Sequence, residues 1–206
     1  FYIQRRMPPR TVTADQILES AIRVIEASGE AAVRIRDVCD ECGITTPVLY
    51  SHFGSRDGLV VAAQAERYGR SRYQILGWLA DQVANCRSAD NFRRIVDDLI
   101  TKGLDASRAE NRRIRASVLG SSVGRPALVK AIRDADREFV DRAATVLRPA
   151  QDAGWLRTNL DLSTLILWYD AHLDGRLHIE LEGAAFDAAA WDTIARRAVL
   201  AAAFGD

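Results

Sequence analysis

The sequence predicts an all-α fold, and two observations lead to this prediction. Apolar residues recur at intervals of three and four through most of the chain, the spacing that places side chains on one face of a helix. Capping residues and glycines stand where such helices would begin and end. Since apolar and polar residues rarely alternate over the length of a strand, we expect about nine helices and no sheet.

The first predicted helix runs from Thr13 to Ser28. Thr13 and Gln16 have the spacing of a capping box, in which each side chain bonds a backbone amide of the other residue. Gly29 follows as a C-terminal stop. The apolar stripe of this helix consists of Ile17, Leu18, Ala21, Ile22 and Ile25.

Two short helices follow, at about Arg34–Cys42 and Thr45–His52. Gly43 ends the first of them. Thr45 is expected to cap the second, and Pro47 fits its first turn because a missing amide hydrogen costs little there.

The remainder of the chain continues the helical pattern, and Ser55 is expected to cap its first helix. These later helices are predicted from Arg56 to between Trp78 and Asn85, from Ser88 or Asp90 through Ile100, from Glu110 to Leu119, from Arg125 to Ala153, from Asp161 through Leu177, and from Asp187 to Ala203.

Composition limits the classes of function. The 206 residues include 28 basic and 28 acidic side chains, and this balance argues against general affinity for nucleic acids or membranes. No apolar run is long enough for a membrane span, and the first residues lack the apolar region of a signal peptide. Three cysteines do not form a disulfide framework, so we expect a cytoplasmic protein.

Cys39 and Cys42 form a C-x-x-C pair with three possible roles. A zinc site would need two more ligands, and no second Cys or His pair lies nearby in the sequence. A redox pair gains reactivity at a helix N-terminus, whereas this pair falls in the last turn of a predicted helix. We favour two small packed residues, with a redox role as the alternative.

The two short helices and their glycine turn suggest a helix-turn-helix. In such a motif the second helix enters the major groove of DNA. The segment from Cys42 to Arg56 has no acidic residue, as expected for a surface that faces phosphates. Threonine hydroxyls suit bases or phosphates, and Tyr50 and His52 are placed to reach phosphates.

Residues 13–60 closely resemble the N-terminal domain of the TetR family of bacterial transcriptional regulators. The resemblance rests on Thr13, Ile17, Leu18, Ala21, Gly29, Val38, Cys42, Gly43, Ile44, Thr45, Leu49, Tyr50, His52, Phe53, Arg56, Asp57 and Leu59. Three residues depart from the family pattern. Arg34 replaces a Ser or Thr cap, Arg56 replaces a lysine, and Gly58 stands where a helix former is usual.

The resemblance implies an all-α protein with an N-terminal three-helix domain at 11–56 and a larger helical domain at 57–206. It implies a DNA-binding regulator, with repression as the family expectation, that binds a pseudo-palindromic operator as a homodimer through its last two helices. The implied DNA-facing residues are Thr45, Thr46, Pro47, Tyr50, His52 and Arg56, with Arg34 and Arg36 as secondary contacts. Leu49 and Phe53 are interpreted as core, and Arg5, Arg6 and Arg10 as a basic arm.

The resemblance also implies an effector pocket among the middle helices of the larger domain, and such a pocket should be mostly apolar. The candidate lining residues are Tyr68, Tyr73, Trp78, Phe92, Trp155, Trp168, Tyr169 and His172. A charged cluster on one predicted helix is interpreted as surface charges or dimer salt bridges rather than as a metal site. Its members are Asp170, His172, Asp174, Arg176 and His178.

Two other functions remain open at the level of sequence. An enzyme would need a nucleophile with its base, a phosphate loop or clustered metal ligands, and the sequence has no such motif. A ligand-binding or scaffolding protein without specific DNA binding is the closer alternative. No cofactor is expected.

Overall fold

The computed structural model describes residues 13–205, without the side chains of Ser71, Gln74 and Ala184. These residues form helices and turns and contain no β-strand, which confirms the all-α fold class. The predicted basic arm with Arg5, Arg6 and Arg10 lies outside the described residues.

The α-helices are α1 (Ala14–Ser28), α2 (Ile35–Cys42), α3 (Thr46–Phe53), α4 (Arg56–Ala84), α5 (Ala89–Leu104), α6 (Ala109–Ser121), α7 (Pro126–Asp152), α8 (Leu162–Asp174), α9 (Leu177–Glu182) and α10 (Ala188–Phe204). Short 3-10 turns cover Glu30–Ala32, Ala106–Arg108 and Gly183–Ala185.

The predicted helix from Asp161 through Leu177 is divided at Gly175 into α8 and α9. Glycine is a weak helix former. The following residue, Arg176, is held by Asp192 of α10, with 2.7 Å between Arg176 Nε and Asp192 Oδ1. The described residues thus form ten α-helices, compared with about nine predicted.

The N-terminal helices follow from local sequence. Thr13 and Gln16 form the predicted capping box, with the Gln16 amide donating to Thr13 Oγ1 and the Thr13 amide donating to Gln16 Oε1. Ser55 Oγ likewise accepts from the amide of Gly58 at 2.9 Å, as expected for a cap at the start of α4.

The chain divides into two compact units between Gln64 and Ala65. The division falls later than the predicted boundary at residue 56. The reason is that Leu59, Val60 and Ala63, in the first turns of α4, are buried in the core of the N-terminal unit.

The C-terminal unit has its own core, built from α5, α7, α8 and α10 around Phe92, Ile100 and Leu162. Within the described residues, no helix combines the length and the apolar character needed to cross a membrane.

Candidate functional site

The short helix α3 is held by one buried face and a tight turn. Leu49 is fully buried, and Phe53 and Ile44 pack against the same core. The preceding Gly43 has a φ of 66° and a ψ of 35°, a left-handed conformation that glycine adopts without steric cost. These contacts position α3 after α2, as the helix-turn-helix interpretation requires.

Apart from Leu49 and Phe53, the side chains of α3 and of its N-cap residue are exposed, and none is a carboxylate. Of these residues, we call Thr45, Thr46, Pro47, Val48, Tyr50 and His52 the reading face. Thr45 occupies the predicted N-cap position, but its side chain makes no cap hydrogen bond. The prediction that this hydroxyl caps α3 is therefore wrong.

Val48 was not identified from the sequence as part of this surface. Its side chain is 40% exposed, although valine is usually buried. It lies in the N-terminal half of α3, where an apolar group suits contact with a thymine methyl. Its position one residue before buried Leu49 was the sequence signal that could have identified it.

Arg34 and Arg36 are exposed beside the helix-turn-helix. Arg34 is the N-cap residue of α2 and makes no side-chain cap, and its guanidinium donates to the Ala31 carbonyl. Arg36 is 91% exposed at its side chain, with Asp40 3.8 Å away. Both cations are accessible to solvent.

The guanidinium of Arg56 bonds backbone carbonyls of the protein, whereas the sequence suggested a contact with DNA. Its Nε donates to the Val33 carbonyl at 2.9 Å, and its Nη2 donates to the Glu30 carbonyl at 2.6 Å. These bonds tie the start of α4 to the turn before α2. Arg56 therefore has a positioning role within the motif, and its contact with DNA stays a prediction.

The cysteine pair is packed. Cys39 is 4% exposed, Cys42 is partly buried, and both are free thiols. Burial raises the pKa of the Cys42 thiol, which disfavours the reactive thiolate. This setting is consistent with two small packed residues.

A buried ionic cluster lies in the C-terminal unit. Asp170 of α8 accepts both Nη groups of Arg115 from α6, at 2.9 and 2.6 Å, and Nη2 of Arg72 from α4 at 2.5 Å. Arg72 also bonds Asp136 of α7, and Arg115 bonds Asp174. The interpretation of Asp170 and Asp174 as surface or dimer charges is wrong, because distant helices of the same chain pair with them.

Burial and shared partners shift the protonation of this cluster. Burial raises the pKa of Asp174 to about 6, and the neighbouring charge of Asp170 adds to this effect against the attraction of Arg115. Burial also raises the pKa of the Tyr68 hydroxyl to about 12. The Asp174 carboxyl therefore begins to gain a proton as the pH falls toward 6.

Two hollows with shared lining residues adjoin the cluster. The inner cavity, of about 60 Å³, is bordered by Arg72, Arg108, Arg112 and Arg115, by Asp170 and Asp174, and by Ile75, Phe139, Tyr169 and Leu173. The outer cleft, of about 710 Å³, is bordered by Trp78, Thr101, Lys102, Asp105 and Ser107. Ile75, Arg108 and Asn111 border both hollows.

The predicted aromatic pocket residues are dispersed. Tyr169 borders the inner cavity and Trp78 the outer cleft. Phe92 and Trp155 pack on each other in the core, with ring centroids 6.1 Å apart. Tyr68, which is buried, lies beneath the Arg72 guanidinium at 4.4 Å.

The other predicted pocket residues lie near the surface. Tyr73 is beside Arg142, at 5.2 Å from ring centroid to guanidinium. Trp168 stacks on His172 at 5.1 Å between ring centroids and is 39% exposed. Neither hollow includes these three residues among its walls.

The arginines that border the inner cavity were not predicted from the sequence to be site residues. Arg108, Arg112 and Arg115 stand at helical spacing, which brings them toward one side of the chain. Asp170 and Asp174 are also four residues apart. These matching spacings on two distant segments were the available signal.

Comparisons with known proteins agree with this architecture. The family model described as "Bacterial regulatory proteins, tetR family" matches residues 17–63. Over 49 residues the chain is 35% identical to YerO, an uncharacterized HTH-type transcriptional regulator of Bacillus subtilis. This match covers 24% of the chain and only 17% of the length of YerO.

Solved structures match over nearly the whole chain. A TetR-family regulator from Rhodococcus sp. has a TM-score of 0.65 and 21% identity, over 90% of this chain and 95% of its own. FadR from Bacillus subtilis, in complex with stearoyl-CoA, has a TM-score of 0.61 and 14% identity, over 92% and 99% of the two chains. A regulator from Saccharomonospora viridis, in complex with choline, has a TM-score of 0.58 and 19% identity, over 92% and 96%.

These structural likenesses concern the fold, and the sequence match concerns the helix-turn-helix. Residues 17–63 therefore carry the sequence of the helix-turn-helix region of the tetR family of bacterial regulatory proteins, and the fold of the chain is similar to that of TetR-family structures.

Proposed function

We propose that the protein is a transcriptional regulator that binds operator DNA as a homodimer and is released from it by a small molecule. The reading face of α3 is the observation that carries this proposal. It is exposed and free of carboxylates, and the buried Leu49 anchors α3 to the core. The reading face therefore suits insertion into a major groove.

The proposed contacts differ in kind. Thr45, Thr46, Pro47 and Val48, at the N-terminal end of α3, face base edges, where hydroxyl and methyl groups distinguish sequences. Tyr50 and His52 contact phosphates, as do Arg34 and Arg36 from α2. Arg56 keeps the motif in place through its bonds to the Glu30 and Val33 carbonyls.

Exposed apolar side chains on α8 and α10 support the proposed dimer. Leu167 and Trp168 on α8 are 47% and 39% exposed, and Ile194 on α10 is 68% exposed. Burying such groups against a second copy is favourable. Helices α8 and α10 overlap the last two helices predicted from the sequence, which the resemblance assigned to dimerisation.

The hollows of the C-terminal unit support a ligand-sensing role. Two structural neighbours, from Saccharomonospora viridis and Bacillus subtilis, were solved with choline and stearoyl-CoA respectively. Helix α4 carries residues of both compact units, so it is the proposed route by which a ligand changes DNA affinity. The coupling is limited by the ligand's differential affinity for the two states, typically ~1–3 kcal/mol.

The test measures binding to DNA from immediately upstream of the protein's own gene by fluorescence anisotropy. We expect saturable binding that weakens steeply as salt rises, because phosphate contacts release counterions. Thr46→Glu should weaken binding about tenfold or more, since its carboxylate would face phosphates.

Thr158→Glu is the matched control, because Thr158 is an exposed threonine of the C-terminal unit and acquires the same charge. It should bind DNA nearly as well as the unmodified protein. Absence of saturable binding at low salt, or equal binding by the two variants, would refute the proposal and favour a ligand-binding or scaffolding protein.

A further inference from the structure

Arg108 differs from the other arginines around the inner cavity. Arg72, Arg112 and Arg115 each bond at least one carboxylate. Arg108 is partly buried and borders both the cavity and the cleft, but its guanidinium makes no hydrogen bond or ion pair with the described residues. A partly buried cation without a counterion favours an anionic partner.

The cavity walls also have more free donors than free acceptors. Within residues 13–205, Nε of Arg72 and Nε of Arg115 are buried and have no acceptor. The carboxylates of Asp170 and Asp174 are already bonded by arginines, and Tyr169 donates its hydroxyl to the Leu99 carbonyl. A ligand that accepts hydrogen bonds would fit these walls better than one that donates them.

Apolar side chains form part of the remaining walls, beside the polar Thr101, Asp105, Ser107 and Asn111. Ile75, Phe139 and Leu173 border the inner cavity, and Trp78 borders the cleft. The other cation of the cleft, Lys102, has its Nζ over the Trp78 ring at 5.2 Å. These walls suit a ligand with an apolar body and one charged end.

We propose that these hollows bind an organic carboxylate, with the carboxylate on Arg108 and the apolar body against Ile75, Phe139 and Leu173. A single guanidinium matches a carboxylate through two parallel hydrogen bonds. This proposal rests on the proposed ligand-responsive function and names the chemical class of its effector. It excludes cationic ligands such as choline, because Arg108 would repel them.

The test compares four probes that share one apolar body, with affinities measured by isothermal titration calorimetry on the full chain. The probes are phenylacetate, phenylethanol, phenylethylammonium and phenylethyl phosphate. We expect phenylacetate to bind about tenfold or more tightly than phenylethanol, since a hydrogen bond to a charged group is worth more than a neutral one. Phenylethylammonium should bind most weakly.

Arg108→Gln should remove the preference for phenylacetate and leave the affinity for phenylethanol unchanged, which also shows that the variant is folded. Arg113→Gln is the control. Arg113 is on α6, which begins directly after Arg108. Its side chain is 52% exposed and lies 3.7 Å from Glu110, so its loss should change no affinity.

Equal binding of phenylacetate and phenylethanol would overturn the proposal, as would no binding of any probe or an unchanged preference in Arg108→Gln. Tighter binding of the ammonium would show a cation site instead, and tighter binding of the phosphate would show a phosphate site. DNA binding is measured separately on the same protein. A failure of operator binding with carboxylate binding intact would reject the regulator and not the ligand class.

Discussion

Replacing Asp170 with alanine is expected to lower the free energy of unfolding by about 3–5 kcal/mol. Asp170 is 7% exposed and accepts hydrogen bonds from two arginines that are themselves buried. Its removal leaves Arg72 and Arg115 with one carboxylate each, Asp136 and Asp174. The loss is large because both buried guanidinium groups lose a counterion and cannot recover their hydration in its place.

The change is measured by urea denaturation followed by circular dichroism. Asp134→Ala is the control, because Asp134 pairs with Lys130 on the surface of α7, where the side chains are 52% and 76% exposed. An exposed pair contributes about 0–1 kcal/mol. Equal destabilisation by the two substitutions would contradict a structural role for the buried cluster.

Gly58→Ala is expected to destabilise the protein by about 1–3 kcal/mol, a cost typical of overpacking. A Cβ atom at this position would lie 2.0 Å from the Phe53 carbonyl oxygen, and this oxygen is backbone and cannot rotate away. Helix propensity alone predicts a gain of ~1 kcal/mol for alanine. The clash reverses the sign, because α4 must shift against α3 to relieve it.

The control is Gly77→Ala in the same helix, where an added Cβ meets nothing within 4 Å. This variant should be neutral or more stable by up to ~1 kcal/mol. Thermal unfolding of the two variants distinguishes the effects. If Gly58→Ala were as stable as Gly77→Ala, the close approach of α3 and α4 would not constrain this residue.

The sequence predicted the helix-turn-helix well because its determinants are local. Thr13 and Gln16 are three residues apart, and Gly43 and Leu49 act within adjacent helices. The role of Gly58 could not be predicted from the local sequence. Its residue type suggested a weaker helix start, whereas the packing distance to Phe53 shows that the glycine is required.

The candidate ligand site was predicted poorly for the opposite reason. Arg72 and Asp170 are 98 residues apart in the sequence, and no local pattern specifies that they pair. Aromatic residues were expected to form the pocket, but Phe92 and Trp155 pack in the hydrophobic core. Charged residues were assigned to the surface because most are exposed, and a buried network is the exception to that rule.

Footprinting of the unmodified protein on its own upstream DNA tests whether α3 reads DNA and whether a dimer presents two copies of it. We expect two protected half-sites of related, inverted sequence, with centres about one helical turn, ~34–36 Å, or slightly more apart. A single protected half-site, protection without sequence preference, or no protection at low salt would contradict the account.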